Sequence, residues 1–281
     1  MCLCLAARGE DEVFFRWNPP DGLVRQERLI SHRRAERPDA GGHVDRKETL
    51  TEVAYHSQPT GYVYAATQVA YQAARDGTPT FDLRLALFNQ VPLQYHLDMV
   101  GRLREIDGLA ALVVRARSMQ PDDPRVPLVV REENYRRERR EAWDQRYGRM
   151  VGKRGKLGDS WRVSDEYLLP GDRRLVFHIT TKLVEKLRCA DHDCVRLEFF
   201  YHSTPEPRSA TWEIPFIPPT QVKESEITGW GERILDPSTM LIYLEREVFV
   251  IRFKPGELGP QPVVVEERVE CSFSTGGRGE R

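Results

Sequence analysis

Nine cationic side chains and two aromatic rings fall in one short stretch: Arg136, Arg137, Arg139, Arg140, Arg146, Arg149, Lys153, Arg154 and Lys156, with Trp143 and Tyr147 among them. Guanidinium and ammonium groups neutralise phosphates, and indole and phenol rings stack on bases, so this pattern could bind single-stranded nucleic acid without reading its sequence. Helical spacing sets Arg136, Arg140 and Trp143 on neighbouring turns of one face. Glu132, Glu133, Glu138 and Glu141 neutralise much of the charge, however. A run of mixed sign is equally the mark of a solvated, salt-bridged helix. Both readings stand on the residues alone.

Other candidate chemistry fails on spacing. Gly152-Lys-Arg-Gly-Lys156 lacks the length of a phosphate-binding loop, and Leu157 follows where a magnesium-binding hydroxyl belongs. Gly229-Trp-Gly231 lacks a third glycine and a strand-to-helix context, and there is no Gly-x-Ser-x-Gly elbow. Cys189, His192 and Cys194 supply three soft ligands in one loop, but zinc sites want a fourth ligand and wider spacing, so the loop reads as a polar connection between strands. His178 and His202 sit on strand patterns, and Glu245 and Glu247 share one face of a strand, as solvated carboxylates often do. Cys2 and Cys4 could be acylated, but no glycine follows Met1, and inert terminal thiols are the simpler reading. The sequence therefore points to no catalytic residue, metal site or cofactor.

The elements that must hold the cationic stretch follow from composition and periodicity. The chain of 281 residues is long enough to bury a core, with 40% hydrophobic and 30% charged residues. Its net charge of −1 conceals 42 basic and 43 acidic side chains. Five cysteines at irregular spacing argue for a reducing compartment and against a disulfide framework. No apolar run reaches membrane-spanning length, so no transmembrane helix is expected.

Residues 1–50 read as a flexible region, because the arginine-rich segment around 25–48 has few apolar residues to repay ordering. Residues 51–255 read as one β domain carrying the basic insert 131–156, and residues 256–281 as a last strand and tail. Strand alternation is clear at Tyr62–Tyr71, Phe81–Leu87, Leu175–Thr180, Val195–His202 and Trp212–Phe216, and Leu241–Phe253 and Val263–Phe273 supply two more. Leu109–Val114 and Val126–Val130 read as short buried strands, and Leu93–Leu103 fits a short helix. The first part of the insert reads as a helix that loosens at Gly148, Gly152 and Gly155. The fold class expected is all-β, a mainly antiparallel sandwich, with one or two short helices and flexible termini.

Trp212-Glu-Ile-Pro-Phe216, Pro218-Pro-Thr-Gln-Val222 and Glu224-Ser-Glu-Ile-Thr-Gly-Trp-Gly231 follow one another in an order that resembles plant viral cell-to-cell movement proteins of the 30K superfamily, begomovirus type. The resemblance covers mainly residues 172–234, where Leu175–Thr180 and Val195–His202 take the places of two preceding strands. The superfamily's aspartate after an apolar strand falls at Asn89 in one register and near Ala116 in another, so neither keeps it.

The resemblance implies a sandwich of jelly-roll type and a non-enzyme. It implies transport of viral nucleic acid between plant cells through plasmodesmata, with self-association and host plasmodesmal or membrane components as further partners. The location implied is the host cytoplasm and plasmodesmata. The alternatives are a viral capsid or matrix protein on a jelly roll, and a hydrolase whose site assembles only in the fold.

Overall fold

A computed structural model describes residues 12–37, 41–119, 132–169, 173–189, 191–203, 210–212, 220–255 and 263–275. Strand β1 (Val13–Phe14) is followed by the long strands β2 (Val24–Arg37), β3 (Gly41–Gln58) and β4 (Gly61–Arg75), then by β5 (Thr78–Pro79). Helix α1 (Leu83–Phe88), strands β6 (Pro92–Leu97) and β7 (Leu103–Asp107), and helices α2 (Leu109–Met119) and α3 (Glu132–Trp143) come next. A π-helical turn (Asp144–Gly148) continues α3. The second half holds β8 (Arg154–Gly155), β9 (Ser160–Leu169), β10 (Arg173–Cys189), β11 (His192–His202), β12 (Ala210–Trp212), β13 (Thr220–Asp236), β14 (Leu241–Pro255) and β15 (Val263–Thr275).

The expectation of mostly antiparallel β structure holds. The long strands form one sheet in the order β7-β6-β4-β3-β2-β15-β14-β13-β11-β10-β9, with β5 beside β4 and β12 beside β13. Two meanders, one from each half of the chain, are joined where β15 pairs antiparallel with both β2 and β14. The C-terminal strand is thus a central strand of the sheet.

That sheet is strongly curled. A flat path of eleven strands at about 4.8 Å spacing would part its edges by nearly 50 Å. Instead one helical arm reaches both edges. Arg140 on α3 donates to the Leu103 and Arg104 carbonyls of β7, and Arg149 just past the π turn pairs with Asp165 of β9 at 2.7 Å. A single core cluster accordingly joins Val53, Tyr64 and Leu93 from the first meander with Phe177, Leu197 and Ile251 from the second. The segment holding Phe15 and Trp17 threads into it, with Phe15 N–H donating to the Lys153 carbonyl and Arg16 N–H to the Pro237 carbonyl. Both rings are buried.

Several sequence expectations are corrected. Residues 25–48 are not a flexible region but most of two strands, and the expected boundary at residue 50 falls inside β3. Their charges pair across strands, Arg28 on Glu48 and Arg75 on Asp45, and along β3, Arg46 on Glu48, so little apolar content is needed on the outer face. Residues Leu83–Phe88 form a helix where a strand was expected, because Asp82 caps it by accepting from Leu85 N–H. Leu109–Met119 is likewise a helix, with Leu109, Leu112 and Ala116 buried at helical spacing. Leu93–Leu103 is strand, not helix: it covers most of β6 and reaches the first residue of β7. The expected strand at 126–130 lies outside the described residues. Cys189 and Cys194, read as free thiols, form a disulfide across the β10–β11 hairpin, with Cα atoms 5.8 Å apart, inside the usual range. The expected helix at the start of the insert is present as α3.

The curl explains Gly229 and Gly231, which flank Trp230 on β13. A Cβ on Gly229 would stand 2.4 Å from the Val248 carbonyl oxygen, and one on Gly231 2.8 Å from that of Arg246. The two glycines let β14 press against β13, while the Trp230 ring is half exposed on the other face. Gly229→Ala should therefore cost about 2 kcal/mol, as overpacking against backbone does, and Trp230→Ser less than about 1 kcal/mol. Urea denaturation midpoints of the two variants check this; equal midpoints would show that the close approach does not matter.

Candidate functional site

The inward residues of β2 are Arg25, Glu27, Leu29 and Ser31, an alternation in which charge replaces apolar surface. Arg25 is 4% exposed and Glu27 5%. The burial of Glu27 is tolerated because Arg146, carried in by the π turn, donates to Glu27 at 2.9 Å and to Glu245 of β14 at 3.0 Å. Arg233 of β13 donates in turn to Glu245 and to the Arg146 carbonyl. Burial works to raise the Glu245 carboxyl, but the Arg233 and Arg146 guanidiniums outweigh it and hold its pKa below the usual range. Glu247, one inward position further along β14, is pushed up by burial and by the neighbouring Glu245 charge. Arg25 donates to the Ile242 carbonyl and lies over the Tyr243 ring.

Above this network lies an aromatic floor. Trp143 and Tyr147 pack on Trp17 at 5.0 and 5.1 Å, Tyr64 meets Tyr95 at 5.4 Å, and Tyr95 stacks on Trp143 at 5.6 Å. The Tyr64 hydroxyl donates to Glu27. Burial raises the pKa of Tyr64 and of Tyr147, so both stay neutral donors.

The floor opens into a cavity of about 450 Å³ between the concave face of the sheet and the helices α1 and α3. Its sheet wall is Leu29, Thr49, Thr51, Ala66, Gln68 and Leu93. Its helical wall includes Leu85, Phe88, Arg139, Ala142 and Trp143. Gln68 holds α1 in place by donating to the Leu85 carbonyl at 2.7 Å. Lys47 pairs with Asp82 at 2.7 Å, and Arg84 pairs with Glu138 at 2.5 Å, where the cavity meets solvent.

The structure scatters the eleven residues of the sequence-predicted nucleic-acid site. Trp143 is 4% exposed and Tyr147 3%, so neither ring offers a face to a base. Arg136 bonds Glu132 and the Ile106 carbonyl, Arg140 caps β7, and Arg146 and Arg149 are ion-paired inside and at the edge of the sheet. Arg139 lies over the Phe88 ring at 4.2 Å. Lys153 packs over Trp161, and burial followed by the nearby Arg149 charge lowers its pKa. Arg137 and Lys156 are exposed, and so is Arg154, which lies over Phe14. Three separated cations remain where an array was expected.

Sequence reasoning missed Glu27, Arg233 and the cavity wall on β2–β4. The signal was Arg25 and Glu27 at strand period beside Leu29. Glu245 and Glu247 do share a strand face, but the face is the interior. The Cys189/His192/Cys194 loop offers no thiolate, since its sulfurs are bonded to each other. Among the described residues no cluster of three metal-ligating side chains occurs, and no helix is long and apolar enough to cross a membrane.

No family model matches the chain, and no curated protein matches it either. Solved structures do. A structure of lipid–protein interactions in lipovitellin aligns over 94% of this chain at 8% identity with a TM-score of 0.50. The chain spans about a quarter (26%) of that protein's length. At this identity the likeness is one of fold. DynF from the dynemicin biosynthesis pathway of Micromonospora chersina (6% identity, 95% of this chain and 87% of that one, TM-score 0.25) is more distant. So is an outer membrane channel from Pseudomonas putida F1 (6%, 96% and 100%, TM-score 0.28).

Two outcomes follow from the buried network. Arg146→Met leaves Glu27 and Glu245 short of a partner and should destabilise the protein by about 3 kcal/mol, whereas Arg137→Met on the exposed face should stay within about 0.5 kcal/mol. Denaturant titration of both variants checks this. Glu247 has a folded pKa above its ordinary 4.5, so the fold favours its protonated form. Its contribution is fully present below that ordinary value and is lost as pH rises through the folded pKa. Glu247→Gln should therefore match the parent in melting temperature at pH 4 and exceed it increasingly as pH rises to 8. A difference that is flat across this range would exclude the buried-carboxyl assignment.

Proposed function

We propose that this chain is a binding module that holds a small amphiphilic molecule in the cavity between the concave sheet face and α1–α3. The observation that carries the reading is the preformed cavity. Its volume of about 450 Å³ lies in the roughly 300–1,000 Å³ range of ligand pockets. Cores pack to near-crystal density, and a void of this size persists where something fills it or where polar groups keep it wet. The lining combines both kinds of surface. Leu29, Leu85, Phe88 and Leu93 offer apolar contact, while Thr49, Thr51 and Gln68 stand at inward positions that a packed core would give to valine or leucine. Leu29 is 39% exposed although it faces inward, so the cavity is open to an incoming ligand. The fold's likeness to lipovitellin, whose structure concerns lipid–protein interactions, agrees with this reading.

The reading is a non-catalytic one: a sheet that presents a cavity, and a helical arm that forms its lid and floor. The movement-protein reading, with the jelly-roll sandwich that it implies, rests on its short motif. Positions 213–219 of that motif lie outside the described residues, and the site geometry adds nothing to it.

The neutral apolar dye N-phenyl-1-naphthylamine tests the binding reading. The full-length protein should raise its fluorescence saturably at one site per chain. Ala66→Phe, which fills the middle of the cavity, should weaken that binding at least tenfold while leaving the thermal transition in place. Dye binding that is absent, or unchanged by the filled cavity, would overturn the reading.

A further inference from the structure

We infer that the cavity selects ligands with an anionic head, a carboxylate or a phosphate, held on the helical wall by Arg84, Arg139 and Trp143 while the apolar tail lies along the sheet wall. The inference rests on the cavity reading above and adds the chemistry of the head. Charge balance points to this place. Lys47 is matched by Asp82, and the two cations Arg146 and Arg233 match the two carboxylates Glu27 and Glu245. Arg84 and Arg139, by contrast, share one carboxylate oxygen, Oε1 of Glu138, at 2.5 and 2.7 Å. Two guanidiniums on one carboxylate leave a unit of positive charge beside the cavity, and a second anion restores neutrality.

Unused donors mark the same place. Arg139 Nε and Trp143 Nε1 are both buried, and neither has a hydrogen-bond partner. An unsatisfied buried donor costs about 1–3 kcal/mol, so an acceptor that reached these two would be favoured. The two residues are four apart on α3 and therefore lie one above the other on a single helix face. The Arg139 guanidinium lies over the Phe88 ring, which fixes the plane of the group. An oxygen pair placed between Arg139 and Trp143 would accept both N–H groups, as planar carboxylate and phosphate edges do. Leu29, Ala66 and Leu93 then face the rest of the molecule across the cavity.

Isothermal titration of the full chain with dodecanoate, dodecyl phosphate and dodecan-1-ol tests the inference. The three share a tail and differ in the head. At least one anion should bind roughly tenfold tighter than the alcohol, the worth of one charge-assisted hydrogen bond. The tighter of the two anions identifies the head. Arg139→Gln should bring the anions to within about twofold of the alcohol, and Trp143→Phe, which keeps a ring but removes the donor, should weaken the anions several-fold. Should Arg139→Gln fail to fold, Arg84→Gln decides, since that side chain is largely exposed. Its expected effect is a threefold smaller preference, and an unchanged preference would overturn the inference. Equal binding of all three ligands also overturns it while leaving the cavity reading intact. If none binds and the neutral dye gives no saturable signal, both fall together.

Discussion

Arg146 is the interaction on which the rest of the structure depends. Its guanidinium lies between two buried carboxylates that come from opposite halves of the chain, Glu27 on β2 and Glu245 on β14. Between those strands runs β15, the last strand of the sequence. Strands two places apart in a sheet are separated by roughly 10 Å, a gap that one bidentate cation can bridge from above. The pairing therefore forms only once β15 has joined the two meanders and the sheet has curled around the helical arm. A lone carboxylate at either position would be expensive to bury, so the charge network rejects partly assembled sheets as well as stabilising the finished one. Arg233 extends the same constraint by bonding Glu245 and the backbone of the π turn together.

The topology makes this constraint necessary. Each meander is local, but the junction pairs residues 25–36 with 264–275, nearly the full length of the chain apart. Such pairing is slow to form and is favoured only when distant elements reward it. The helical arm supplies that reward, because Arg140 and Arg149 tie it to opposite edges of the sheet while Trp143 and Tyr147 enter the core between them. The arm and the sheet are thus mutually dependent. The basic character of the arm follows from this position: it must satisfy strand-edge carbonyls and inward carboxylates at once, and long cationic side chains with multiple donors do both.

Much of the β structure was legible, since Tyr62–Tyr71, Val195–His202 and Leu241–Phe253 alternate as half-buried strands do and are strands. The failures at charged and aromatic positions share one cause, which is that polarity pattern was read as exposure. Arg25 and Glu27 look like tail residues, yet they are interior because Arg25 bonds the Ile242 carbonyl and Glu27 pairs with Arg146; Trp143 and Tyr147 look like stacking platforms among cations, yet the rings turn in while the cations go to the surface, to the strand edges or, as Arg146 does, to inward carboxylates. Short apolar runs such as Leu83–Leu87 and Leu109–Val114 fit either period, and capping by Asp82 decided the first of them in favour of helix. The cavity was invisible because its wall is assembled from alternate positions on β2, β3, β4 and β6 with one face of α3. No single segment carries its signature, although inward Thr49, Thr51 and Gln68 are its trace.

The cavity and the ion network explain each other. A curled sheet of this width encloses more space than one helix can fill, and the charged residues at its base cannot be covered by apolar side chains without losing their partners. The aromatic floor covers part of the network: Tyr64 bonds Glu27 on one side while its ring, with those of Tyr95 and Trp143, faces the cavity on the other, and Glu27 and Arg146 still reach the cavity lining. Above the floor, helix α1 is held by the Gln68 bond, by its Asp82 cap and by the Lys47–Asp82 and Arg84–Glu138 ion pairs, so the wall nearest solvent is tied both to the sheet and to α3. The cavity therefore opens toward solvent beside α1, while its base is closed by the packed rings of Trp17, Trp143 and Tyr147.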